Sequence, residues 1–105
     1  AMAKEIFFTA RRFSAEEALA MGLVNRVVPV DQLEKVVAEY TTMIKENAPL
    51  TIRAAKATVK EVLKDPEKRD LVALDALIKS CFDSEDFTEG RTAFMEKRKP
   101  NFKGK

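Results

Sequence analysis

Residues 31–46 read DQLEKVVAEYTTMIKE, and Leu33, Val36, Val37, Tyr40 and Ile44 fall on one side of a helix at helical spacing. Asp31 stands where this helix opens, with Glu34 three residues on. Asn47-Ala48-Pro49 breaks the pattern. A second stripe follows at Ile52, Ala55, Val59, Val62 and Leu63, with Arg53, Lys56, Lys60 and Lys64 beside it. Asp65-Pro66 punctuates again, since aspartate suits an N-cap and proline the first helical position. Leu71, Leu74, Ile78, Cys81 and Phe82 make a third stripe. Asp83 or Ser84 then caps a last helix that carries Phe87, Gly90, Phe94 and Lys97 along one face until Pro100 ends it.

Working back from residue 31, Val24-Asn25-Arg26-Val27-Val28-Pro29 is rich in β-branched residues and suggests a short extended piece ending at the proline. Before it, Ser14 and Glu17 have the spacing of a capping box, and Gly22 supplies the left-handed backbone that closes a short helix. Residues 3–9 (AKEIFFT) read as helix, although Ile6-Phe7-Phe8-Thr9 alone would also suit a strand. The expected fold class is therefore mainly α: several amphipathic helices, with room for one short extended segment at residues 24–28. So many apolar stripes in one short chain call for covering partners, which makes self-association an expectation.

Composition removes several function classes. The chain has 105 residues, 46% hydrophobic and 34% charged, with a net charge of +2. That is an ordinary globular balance and gives no general case for nucleic acid or a membrane as partner. No apolar run reaches the roughly 20 residues that span a bilayer. Histidine is absent, so His-dependent triads and His-ligated metal sites are excluded within these residues. The three glycines, Gly22, Gly90 and Gly104, are too dispersed for a phosphate-binding loop. Cys81 is the only cysteine, which fits a reducing compartment, and the cytoplasm is the expected location. Its place between Ile78 and Phe82 suits a packed thiol.

Three segments carry a family resemblance. Phe8-Thr9-Ala10-Arg11-Arg12-Phe13-Ser14-Ala15-Glu16-Glu17-Ala18, continuing through Gly22-Leu23-Val24-Asn25-Arg26-Val27-Val28-Pro29, is the first. Asn47-Ala48-Pro49-Leu50 with Ala54-Ala55-Lys56 is the second. The third is Ser84-Glu85-Asp86, Glu89-Gly90, Ala93-Phe94 and Glu96-Lys97-Arg98-Lys99-Pro100. In this order the set resembles the C-terminal segment of the enoyl-CoA hydratase/isomerase (crotonase) family, over essentially the whole chain and most closely its hydratase branch. Ala10 departs from the pattern, which mostly has glycine there.

The resemblance implies a helical, oligomerisation-related region over residues 1–105, without the N-terminal ββα core. In that family the core supplies two backbone N–H groups for the thioester oxyanion and two glutamates for proton transfer, so no catalytic residue is assigned to this chain. It implies an acyl-CoA substrate, no cofactor beyond the coenzyme A thioester itself, no metal, and a homo-oligomer, trimer or hexamer. It also places Phe94 and Lys97 near the adenosine end of coenzyme A. The chemistry is suitable: an adenine rests on an aromatic ring, and a ribose 3′-phosphate needs a cation. The plainer reading keeps Phe94 in the core and Lys97 as a solvated charge. Arg98, Lys99 and Lys103 are either part of the same positive field or ordinary surface charges. The rival classes are a non-catalytic helical assembly module, a family isomerase in place of a hydratase, and a basic nucleic-acid binder without any recognised motif.

Overall fold

Capping and periodicity account for most of the helix ends. The computed structural model describes residues 1–105 and contains α1 (Met2–Thr9), α2 (Ala15–Ala20), α3 (Leu33–Glu46), α4 (Pro49–Val62), α5 (Leu71–Phe82) and α6 (Glu85–Met95). Single 3-10 turns precede α3 at Val30–Gln32 and α5 at Pro66–Lys68. There is no strand, so the mainly α expectation holds. The extended piece expected at residues 24–28 forms no strand and runs as irregular chain, with no second strand to pair with.

The chain divides into two units, Ala1–Ala38 and Glu39–Lys105. In the first, Ser14 Oγ accepts from Glu17 N at 3.1 Å while Glu17 Oε2 accepts from Ser14 N at 2.9 Å, a complete capping box. Gly22, at φ 74°, then closes α2. Its N–H donates to Leu19 O, and Leu23 N donates to Ala18 O. These two bonds satisfy carbonyls that the end of the helix would leave open. Arg11 ties the unit together. It pairs with Glu5 at 3.1 Å and Glu17 at 3.0 Å and lies 3.9 Å over the Phe13 ring. The Ser14 amide and Arg11 hold the Glu17 carboxyl below its ordinary range. Ala10 ends α1 at φ 48°, ψ 22°, which explains why glycine suits this position better. Asp31 lies within the 3-10 turn instead of opening the helix directly; the turn starts from Pro29, whose fixed φ suits it.

In the second unit α4 packs on α5. Ala54, Ala57, Thr58 and Glu61 form the least exposed row of α4, and Leu74, Leu77 and Cys81 that of α5. The large apolar stripe expected to bury on α4 is turned outward, and Leu63 at its end is 82% exposed. Small side chains let the two helix backbones approach, so α5 takes the alanine side of α4. The turn between them is closed by Arg69, whose guanidinium donates to Val62 O at 3.1 Å and Lys64 O at 3.2 Å. Glu61 Oε2 accepts from Asp70 N at 2.9 Å. Asp65-Pro66 starts only the 3-10 turn; the cap of α5 is Asp70, whose carboxylate accepts from Ala73 N at 2.9 Å.

Burial is slight. Only Ala54, Ala93 and Asp86 are buried. A self-sufficient folded chain of this mass exposes about 5,900 Å². This one exposes 9007 Å². Its apolar faces thus outrun what its own helices cover.

Candidate functional site

Helix α6 and the tail after it hold the residues singled out from the sequence. Ser84 caps the helix by accepting from Phe87 N at 3.0 Å. Asp86, 4% exposed, sits in the first turn. Its Oδ1 accepts from Lys103 N and its Oδ2 from Gly104 N, each at 2.7 Å, while Asp86 N donates to Lys105 O at 3.1 Å. The last residues of the chain are therefore folded back on the start of α6. The turn this needs is made by Gly104 at φ 77°. Phe102 lies over Gly90, where an added Cβ would stand 3.4 Å from its ring.

A second clasp lies one turn further along. Arg98 Nη1 and Nη2 donate to Glu89 Oε1 and Oε2 at 2.7 and 2.9 Å, and Arg98 Nε donates to Glu96 at 2.6 Å. Asn101 N also donates to Glu89, at 2.8 Å. The guanidinium fork and this amide pull the Glu89 carboxyl down to about 2 and push Arg98 further up. The family-like motif Glu89-Gly90…Ala93…Arg98 thus has a local meaning. Glu89 and Arg98 lock the tail, Gly90 makes room for Phe102, and Ala93 is 1% exposed under the turn.

Lys97 sits within that turn. The sequence expectation put it on one helical face with Phe94, but α6 ends at Met95 and Lys97 adopts φ 54°. Its N–H donates to Phe94 O at 3.2 Å, and Arg98 N donates to Ala93 O at 3.0 Å. The pair of bonds is the same helix-ending motif seen at Gly22, here with lysine at the left-handed position. A side chain there costs about 1–2 kcal/mol relative to glycine. Phe94 is not core, because it is 82% exposed. It borders a cleft of about 630 Å³ among α4, α5 and α6, whose apolar walls include Leu50, Ile78, Phe82 and Phe87. The Phe82 and Phe87 rings meet edge to face at 5.2 Å. Half-buried Cys81 lines the same cleft and donates to Leu77 O at 3.5 Å.

The cations of the tail are not equivalent. Arg98 is taken up by two carboxylates, and Lys99 pairs with Glu46 at 3.0 Å. Neither the Lys97 nor the Lys103 ammonium makes an ion pair, although Lys103 lies close enough to Glu89 to help hold its carboxyl down. Arg91, three residues before Phe94, lines the cleft as well. The sequence reading passed over it because a lone arginine on a helix has no motif around it. Three carboxylates that sit beside another acidic residue in the chain are occupied: Glu17 in the capping box, Asp86 in the tail clasp, and Glu85 3.6 Å from Lys105. No group of three or more His, Cys, Asp or Glu side chains is placed to hold a metal ion.

All 105 residues match the family described as Enoyl-CoA hydratase/isomerase. The chain belongs to that family. Among proteins similar to this family member, the methylmalonyl-CoA decarboxylase of Escherichia coli K12 is 39% identical over 96% of the chain and 40% of its own length. The short-chain-enoyl-CoA hydratase of Clostridium acetobutylicum is 36% identical over 93% of the chain and 38% of its own length. The solved enoyl-CoA hydratase of Bacillus anthracis superposes with a TM-score of 0.80 at 36% identity, over 100% of this chain and 41% of the other. That of Mycobacterium tuberculosis H37Rv gives 0.86 at 27% identity, over 99% and 41%. The chain spans about 40% of the length of the curated relatives it matches. Its six helices are the C-terminal helical region of the enoyl-CoA hydratase/isomerase fold. No helix is long and apolar enough to cross a membrane.

Proposed function

We propose that residues 1–105 are the C-terminal helical segment of an enoyl-CoA hydratase-like enzyme whose ββα catalytic core lies upstream. The whole enzyme adds water across the 2,3-double bond of a 2-enoyl-CoA thioester. Two glutamates of the upstream core move the protons, and its backbone amides hold the enolate oxygen. The only further organic group required is the coenzyme A carried by the substrate, and the compartment is the cytoplasm. Names among the relatives support coenzyme A thioesters as the substrate class. The decarboxylase among them keeps a different reaction on the same thioesters in play, as does a family isomerase.

The segment has two tasks in this reading. One is to hold the adenosine end of coenzyme A, with the adenine on Phe94 and the 3′-phosphate at Lys97. The observation that carries it is the pair itself: an aromatic ring 82% exposed beside a lysine held at φ 54° without a counter-ion. The other task is assembly. The accessible surface of 9007 Å² and the outward apolar row of α4 support a homo-oligomer, a trimer or hexamer, as well as cover from the upstream core.

Titration calorimetry with coenzyme A and with 3′-dephospho-coenzyme A tests the first task. Coenzyme A should bind more tightly, and Lys97→Ala should weaken that ligand alone. Equal affinities for both in the unmodified chain would remove Lys97 from the site and leave a helical assembly module as the better description.

A further inference from the structure

Glu89 grips the tail at Arg98 and Asn101 and makes no bond to Lys97, yet the turn that presents Lys97 depends on it. The left-handed backbone at Lys97 is one that a lysine adopts only when its surroundings hold it there. Two main-chain bonds define the turn, Lys97 N to Phe94 O and Arg98 N to Ala93 O. What fixes Arg98 fixes the far side of the turn. The bidentate pair with Glu89 does so at 2.7 and 2.9 Å, and Arg98 Nη1 adds a bond to Lys99 O at 3.2 Å. Glu89 also takes Asn101 N at 2.8 Å, so one carboxylate grips the chain both at Arg98 and three residues later. Its own position is set by α6, which is anchored at Ser84 and Asp86.

We infer that Glu89 is a positioning residue for the anion site, acting through Arg98 to hold Lys97 in the left-handed turn that presents its ammonium. The inference rests on the assignment of Lys97 to the 3′-phosphate and adds to it the group that aims Lys97. A second consequence follows for selectivity. Glu89 and Glu96 together neutralise the Arg98 guanidinium, so the phosphate meets a single lysine at this turn instead of a lysine–arginine pair.

The sign of one substitution separates positioning from plain electrostatics. Glu89→Gln removes a negative charge from this end of the tail and leaves Arg98 with Glu96 as its one carboxylate. By charge alone, coenzyme A should then bind more tightly. If Glu89 works by aiming Lys97, coenzyme A should bind less tightly while 3′-dephospho-coenzyme A is unaffected.

The experiment is a calorimetric cycle on the 105-residue chain with those two ligands, using Glu89→Gln, Lys97→Gly and the double variant, each checked for helicity by circular dichroism. Lys97→Gly keeps the left-handed turn and removes the side chain together with its ammonium. The unmodified chain should prefer coenzyme A by about tenfold, the lower end of what a charged hydrogen bond gives. Glu89→Gln should bring that preference to within about twofold, and should change nothing further once Lys97 is glycine. Should Glu89→Gln lose its helicity, Arg98→Lys replaces it: this keeps the cation but not the fork, and should also lower the preference. If the unmodified chain shows no preference, or Lys97→Gly retains it, the assignment of Lys97 itself fails. If Lys97→Gly abolishes the preference but Glu89→Gln leaves or raises it, or weakens both ligands equally, the assignment stands and the positioning role is overturned.

Discussion

Replacing Asp86 by asparagine should release the tail from the start of α6. The carboxylate of buried Asp86 takes one backbone N–H on each oxygen, from Lys103 and Gly104, both at 2.7 Å and both part-buried. Hydrogen bonds to a charged acceptor contribute about 1.5–3 kcal/mol each, because a buried amide left unmatched keeps its desolvation cost. Asparagine retains one acceptor and turns an NH2 toward the other amide, so one bond is lost and the other weakened. Taking about 2 kcal/mol for the lost bond and about 1 kcal/mol for the weakened one gives a loss of about 3 kcal/mol. The bond from Asp86 N to Lys105 O survives the change and should hold only the last residue. A loss of about 3 kcal/mol is roughly a 150-fold rise in the open population of the tail, since 1.36 kcal/mol is tenfold. Amide hydrogen exchange followed by NMR reads this directly. The Lys103 and Gly104 amides should lose about two decades of protection, while those in the middle of α4 should change little. Protection at both amides within twofold of the unmodified chain would refute the claim that Asp86 holds the tail.

Ala10→Gly should raise stability by about 0.5 kcal/mol, because relief of the left-handed strain at φ 48° outweighs the added freedom of the unfolded chain; thermal melting checks it. Ser14→Ala should cost about 1 kcal/mol, the usual loss of an N-cap, read as a lower denaturant midpoint at constant slope. The Glu89 carboxyl is held at about 2, below its ordinary 4.5, so its contribution to stability is fully present above about pH 4.5. That contribution is lost as the pH falls from there toward 2. The stability difference between the unmodified chain and Glu89→Gln should therefore shrink over this window in an acid titration followed by circular dichroism, and a difference independent of pH would contradict it.

What the sequence shows of the fold follows from where its signals are local. The Ser14–Glu17 box, the Gly22 stop and the Ser84 cap each satisfy backbone groups within a few residues, and all are legible in the chain. Asp65-Pro66 misleads because its signal suits any helical turn, and the turn it starts is one 3-10 turn long. The true cap, Asp70, lies next to Arg69 and is fixed by Glu61 from the preceding helix, which is a tertiary fact.

The choice of face on α4 was illegible for a similar reason. Periodicity finds the large apolar side, but the neighbour in the chain packs on the small one. At the candidate site, residue types pointed to Phe94 and Lys97, and the spacing argument joined them by a helix that in fact stops at Met95. A left-handed lysine has no sequence signature of its own; only glycine and asparagine announce that conformation. Glu89 and Arg98, nine residues apart, come together only because of that turn.

The central claim is that these residues serve an enoyl-CoA hydratase-like enzyme without carrying its catalytic carboxylates. Crotonyl-CoA hydration by the 105-residue chain, followed by loss of enoyl absorbance, tests it most directly. Protein shown to be helical by circular dichroism should give no turnover above the uncatalysed rate. Clear turnover would contradict the account and make the adjacent carboxylates Glu16, Glu17, Glu85 and Asp86 the first candidates for acid and base.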